Sequence, residues 1–236
     1  MARAAGERAG RGGRTLAFDL AVLLALCALF VASLCLGSVE TTPAEVLGIL
    51  AAGPGDASTA AQVVWQIRLP RVIEAVLLGG ALSLSGFLLQ TFFANPIADP
   101  FVLGVSSGAK LVVAVVMIVV LGAGQVMSPA ASVGAAFLGS LLTMGFVLLI
   151  SRRVRSQGML IVAGVMVGYI CSAATNFLIA FADDQSIVNL HNWSLGSFSG
   201  SSWDDVAVIA VVVITVSACV FAISKPLSAF QLGDAY

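Results

Sequence analysis

The chain has 236 residues, of which 59% are hydrophobic and 10% charged, with a formal net charge of −1 and a mean hydropathy of +1.06. So little polar surface cannot coat a soluble globule of this length, and the composition describes an all-α polytopic membrane protein. It excludes a nucleic-acid partner for want of a basic field, and with no CxxC, no HExxH and no GxxxxGK[ST] loop it places neither a metal site nor ATP hydrolysis in this chain.

In chain order, residues 1–15 carry Arg3, Arg8, Arg11 and Arg14 among Ala and Gly and are expected to form a disordered cytoplasmic tail. Residues 16–37 are apolar and long enough, at about 1.5 Å per residue, to cross a hydrocarbon core of about 30 Å as a retained helix rather than a cleaved signal. Residues 38–67 form a polar connection in which Thr42, Pro43 and Glu45 predict a short surface helix with a Thr cap. Further spans are predicted at 72–93, 102–121, 130–150, 159–181 and 206–223, six in all within a transmembrane domain over 16–223. Residues 182–205 are expected to be a loop, with Trp193 and Trp203 as interfacial anchors. His191 in that loop stays unassigned. All four cysteines, Cys27, Cys35, Cys171 and Cys219, lie in apolar runs and read as packing residues.

Basic residues orient the spans. With the N-terminus cytoplasmic, eight of the eleven Lys and Arg fall on the inner side, and only Arg68 and Arg71 fall outside, with Lys110 inside a span. The outer pair therefore needs a reason. Two arginines three apart share one helical face if Pro70 lies in the first helical turn. Snorkelling, or pairing of Arg71 with Glu74 at i, i+3, would explain them locally. Lys110 likewise reads as snorkelling to the inner interface.

Residues 68–110 carry the densest signal: RLPR at 68–71, then Gly79, Ala81, Leu82, Ser85, Gly86 and Gln90, then NPIADP at 95–100, then Leu103, Gly104, Ser106, Ser107, Gly108 and Ala109. The small residues of the second span, and the Gly164/Gly168 pair of the fifth, predict close helix packing around that second span. Asn95 and Asp99 each precede a proline and suit helix caps. Gln90 and the serines Ser106 and Ser107, with Gly108, are candidates for lining a pathway or for helix packing.

This block resembles the signature region of the FecCD-type permease subunits of bacterial ABC importers for iron-siderophores, haem and cobalamin. The resemblance implies a type II importer permease in the cytoplasmic (inner) membrane, with a fold of about ten spans against six predicted here, so that the chain looks truncated. It implies that Arg68 and Arg71 dock an extracytoplasmic substrate-binding protein, that Asn95 and Ile97 form a cytoplasmic gate, and that residues 224–236, with Leu232, Gly233 and Asp234, begin the segment that couples to the ATPase. Implied partners are a second permease, identical or homologous, two ATPase subunits carrying ATP and Mg, and membrane lipid. No cofactor is expected in this chain. The implied cargo is an iron chelate, with haem or cobalamin as the alternative.

Two other classes compete. An ion-coupled secondary transporter would lean on Asp19, Glu74 or Lys110 as buried coupling charges. A hydrolase is suggested by GVSSG, which fits GxSxG around Ser106, but its base would have to be His191, which the topology places across the membrane.

Overall fold

The computed structural model describes the backbone of residues 2–121, 127–154 and 156–231, and the side chains of 14–227 within those ranges apart from residue 157. Every regular element among the described residues is helical. The chain divides into two compact units, Met1–Leu78 with Phe198–Val213, and Gly79–Ser197 with Ile214–Tyr236.

In the first unit, α1 (Ala2–Cys35) is helical through the tail expected to be disordered. An apolar helix already nucleated over 14–35 propagates cheaply into Ala- and Arg-rich sequence, because extension adds one hydrogen bond for each residue fixed. Helix α2 (Pro43–Ala52) starts as its sequence predicts. The Thr42 amide donates to Glu45 Oε2 at 2.7 Å and the Glu45 amide donates to Thr42 Oγ1 at 3.3 Å, a reciprocal capping box. The Thr42 amide bond, and then its hydroxyl, hold the Glu45 carboxyl below the usual glutamate range. Val46 packs with Leu34 and Leu69, and Ile49 packs with Ala61 and Val64.

The second span begins earlier than predicted. Ser58 caps α3 (Thr59–Val63) by accepting from the Ala61 amide at 3.2 Å. The chain then passes through a π-helical turn, Val64–Arg68, into α4 (Leu69–Phe92), giving one apolar helix of 34 residues. Pro70 therefore lies well inside a helix, not in its first turn. The π turn explains how. The Leu69 amide bonds back to the Val64 carbonyl, five residues away, so the next donor in that register would be residue 70 and its acceptor Trp65. Pro70 has no N–H to give. The Trp65 carbonyl is satisfied instead by the indole Nε1 of Trp203, at 2.9 Å, with the two indole rings 6.3 Å apart. Trp203 opens α9 (Trp203–Ala222). Trp203 is thus a hydrogen-bond donor to the π turn that leads into RLPR.

In the second unit, Asp99 accepts from the Phe101 amide at 2.7 Å and caps a 3₁₀ turn, Pro100–Leu103. Gly104, at φ +72°, leads into α5 (Val105–Ala114), which continues as a π-helical stretch over Val115–Leu121. Helices α6 (Pro129–Ser151) and α7 (Gln157–Ile179) pack on α5, and α8 (Asp184–Leu195) follows with Asp183 as its cap. Helix α10 (Ser224–Gln231) closes the described chain. Leu103, Val147, Leu160 and Val167 form the core, and a second cluster joins Val113 and Ala114 of α5 to Leu190 of α8.

Glycines make the α5 crossings close. A Cβ on Gly104 would come within 2.7 Å of the Gly168 amide nitrogen, and one on Gly108 would overlap Thr143 Oγ1. The Gly164/Gly168 pair is thus a contact with Gly104 and Leu103. The small residues of α4 play no such part: Gly79, Gly80 and Gly86 have open space where a Cβ would stand. Among the described residues the tight glycine crossings belong to α5.

Among the described residues, five helical stretches are long and apolar enough to cross a membrane: Arg14–Cys35, Thr59–Phe92, Pro129–Ser151, Gly158–Ile179 and Trp203–Ala222. The stretch expected as the third span, 102–121, is a shorter apolar helix, Val105–Leu121.

Candidate functional site

Arg68, expected to dock a binding protein, is only 7% exposed. Nη1 donates to the carbonyls of Leu34 at 2.7 Å and Cys35 at 3.2 Å and to Thr41 Oγ1 at 2.9 Å, and Nη2 donates to the Val39 carbonyl. The last turn of a helix leaves carbonyls with no internal donor, and a planar guanidinium can serve several at once. Arg68 is therefore the cap of α1. Gly37, with φ +157°, lies under it, and a Cβ there would approach Arg68 Nη2 within 2.7 Å.

Arg71 is half-buried and donates from Nη2 to the Ser199 carbonyl at 2.9 Å. The local ion pair with Glu74 does not form: Arg71 Nε and Glu74 Oε2 are both buried without a hydrogen-bond partner. Arg71 thus has a donor buried without a partner, whereas Arg68 donates from both terminal nitrogens.

In the 95–100 turn, Asn95 Oδ1 accepts from the Ile97 amide at 3.0 Å, an Asx turn that leaves the Ile97 side chain 83% exposed. Ala94, at φ +46°, ends α4 in the left-handed conformation. Gln90 is exposed at the end of α4. The coupling residues Leu232, Gly233 and Asp234 lie outside the described residues.

The second unit holds a cavity of about 500 Å³. From α5 it is lined by Ser106, Ser107 and Lys110, and α7 contributes Ser172, Thr175 and Asn176. Ser172 donates to Ser107 Oγ at 3.3 Å, and the Thr175 hydroxyl is turned back onto the Cys171 carbonyl at 2.9 Å. Trp193 and Ser194 of α8 complete the wall. The segment expected as a loop is therefore a helix folded against α5. Leu190 is 1% exposed, and hydrophobic burial against Val113 and Ala114 holds α8 there. Trp193 packs beside that cluster.

Lys110 lines this cavity with its side chain half-buried. His191 is carried on an element packed against α5. It remains exposed, outside the cavity lining with Ser106, and no hydrogen bond joins the two among the described residues. Ser106 and Ser107 face the cavity, whereas Gly108 is buried at the α6 crossing, so the structure divides those three between pathway-like and packing positions.

Sequence reasoning missed Ser172, Thr175 and Asn176. They lie at i, i+3 and i+4 on α7, a spacing that puts three polar side chains on one face of an apolar helix and could have been seen. Among the described residues, no group of three or more His, Cys, Asp or Glu is placed to hold a metal ion, and all four cysteines are free thiols.

Comparison with known proteins agrees with this architecture. A model of the FecCD transport family matches residues 24–236. The vitamin B12 import system permease protein BtuC of Citrobacter koseri is 39% identical over 172 residues, 72% of this chain and 51% of the relative. That of Salmonella arizonae is 36% identical over 220 residues, 93% of this chain and 61% of the relative. The chain thus spans between one half and about three fifths of the length of these curated relatives. A solved structure of an inward-facing transporter, assigned to the metal-chelate ABC type, superimposes with a TM-score of 0.75 at 26% identity, covering 93% of this chain and 65% of that one.

Proposed function

The chain belongs to the FecCD transport family, and from that membership we propose that it is a transmembrane permease subunit of a binding-protein-dependent ABC importer, forming part of the path for a metal chelate. The observation that carries this reading is the family match over 24–236, laid on a multi-pass apolar helical chain. The cargo we favour is an iron chelate. Cobalamin is the second reading, favoured by the names of the relatives, with haem beside it.

In this reading the subunit performs no covalent chemistry. It lies in the bacterial inner membrane with its N-terminus cytoplasmic, which puts eight of eleven basic residues on the inner side. A second permease, identical or homologous, completes the path, and two ATPase subunits supply ATP hydrolysis at the cytoplasmic segment that begins at α10. The loaded binding protein docks on Arg71, whose half-buried guanidinium carries a permanent charge that suits a carboxylate. Arg68 is withdrawn from that role by its four internal bonds. At the opposite end Asn95 holds the turn that presents Ile97, and that aliphatic side chain acts as the gate.

The test is uptake into proteoliposomes holding the assembled transporter, its ATPase and its binding protein. An importer accumulates chelate only with ATP inside the ATPase compartment and regardless of an imposed ion gradient. Accumulation driven by a proton or sodium gradient without ATP would assign the chain to secondary transport. Parallel runs with a ferric siderophore, haem and cobalamin choose the cargo.

A further inference from the structure

The cavity between α5, α7 and α8 is unusual for its charge. Lys110 belongs to an apolar helix, is half-buried, and has neither an ion pair nor a hydrogen bond among the described residues. Asn176, on the facing wall, likewise has a side-chain amide with no protein partner. No Asp or Glu lines the cavity. An ammonium in a membrane helix is costly unless something receives it, and such charges mark ligand paths far more often than they serve packing. Ser106, Ser107 and Ser172 add hydroxyls, which can donate or accept. The result is one cation and several neutral donors around a space within the roughly 300–1,000 Å³ range of small-molecule sites.

We propose that this cavity is a selectivity site for net-anionic metal chelates, with Lys110 as the charge-selecting residue and Asn176 and the cavity serines as hydrogen-bond donors to the chelate's oxygen atoms. Lysine suits the task because its ammonium is a compact point charge on a flexible stem, able to meet carboxylate or catecholate oxygens in several geometries. Trp193 supplies the apolar wall against which the organic part of the ligand rests. The inference rests on the importer reading and narrows its substrate class: a cavity with an unpaired cation favours anionic chelates over neutral or cationic ones of similar size.

The experiment is equilibrium binding of iron-labelled chelates to the assembled transporter in phosphatidylcholine nanodiscs without nucleotide. A ferric tris-catecholate of net negative charge, a neutral ferric trihydroxamate and a cationic ferric trihydroxamate are compared. The anionic chelate should bind saturably and about tenfold or more tighter than the other two, as expected for one charge pair near a protein surface. Lys110→Ala and Lys110→Met should remove the preference, and Lys110→Arg should keep it. Equal binding of the three chelates by the wild-type transporter overturns the proposal without any variant. A preference that survives Lys110→Ala also overturns it. Repeating the titration with phosphatidylglycerol in the disc tests a lipid source for the anion, and abolition of chelate binding there would reassign the cavity to lipid headgroups. ATP-driven uptake is scored separately, so a transporter that binds anions selectively but moves nothing with ATP counts against the importer reading alone.

Discussion

At the scale of single residues, the two arginines of RLPR differ in kind although they lie three positions apart. Arg68 meets four acceptors at the end of α1, and Arg71 meets one and has a donor buried without a partner. Arg68→Lys and Arg68→Ala should therefore destabilise the protein by about 1–3 kcal/mol for each buried acceptor left unpaired, whereas Arg71→Ala, which removes a single hydrogen bond, should cost about 0.5–1.5 kcal/mol. Denaturant titration in detergent micelles reads the difference, and a neutral Arg68→Lys would discard the capping role. Sequence alone did not separate the two. Their spacing and charge are the same, and what divides them is a long-range contact with carbonyls 29 to 34 residues away that leaves no mark in local pattern.

Among elements, the decisive contrast is between glycines that pack and glycines that do not. Gly104→Ala places a side chain on left-handed backbone and against the Gly168 amide, so it should cost several kcal/mol or prevent assembly. Gly80→Ala enters open space on α4 and should leave the fold of this chain intact or slightly firmer. Thermal melts of the two variants in the same detergent make the comparison. Capped helix starts were legible from sequence, as at Thr42 and Asp99, because those signals are local. The existence and rough extent of the long apolar helices were legible too. The longer second span was not, since Pro70 normally marks a helix start and only the π turn, with Trp203 answering the Trp65 carbonyl, allows it inside. Nor was α8 legible. Its composition is polar enough for a loop, and burial of Leu190 against α5 overrides that preference.

For the molecule as a whole, docking and stability should come apart. In the complete transporter, Arg71→Gln should weaken capture of the binding protein in a salt-sensitive way at a stability cost of no more than about 1.5 kcal/mol, because the amide removes the charge without adding a second carboxylate near the buried Glu74. Surface-plasmon binding at low and high ionic strength measures it, and unchanged capture would remove Arg71 from the docking surface. Family membership was the most legible property of all, since it rests on a contiguous block of fixed residue types and needs no tertiary contact to be seen. The Arg68 cap also carries information about time. During synthesis α1 emerges first, with the carbonyls of Leu34 and Cys35 open, and the residue that closes them arrives 34 positions later at the head of α4. The Trp203 bond to Trp65 spans 138 positions and must wait until α5 to α8 have been made. The first unit is therefore fastened twice, once early as the second helix leaves the ribosome and once late when α9 arrives. A nascent chain stalled between those moments would hold α1 in place while the Trp65 carbonyl at the π turn still awaited its donor.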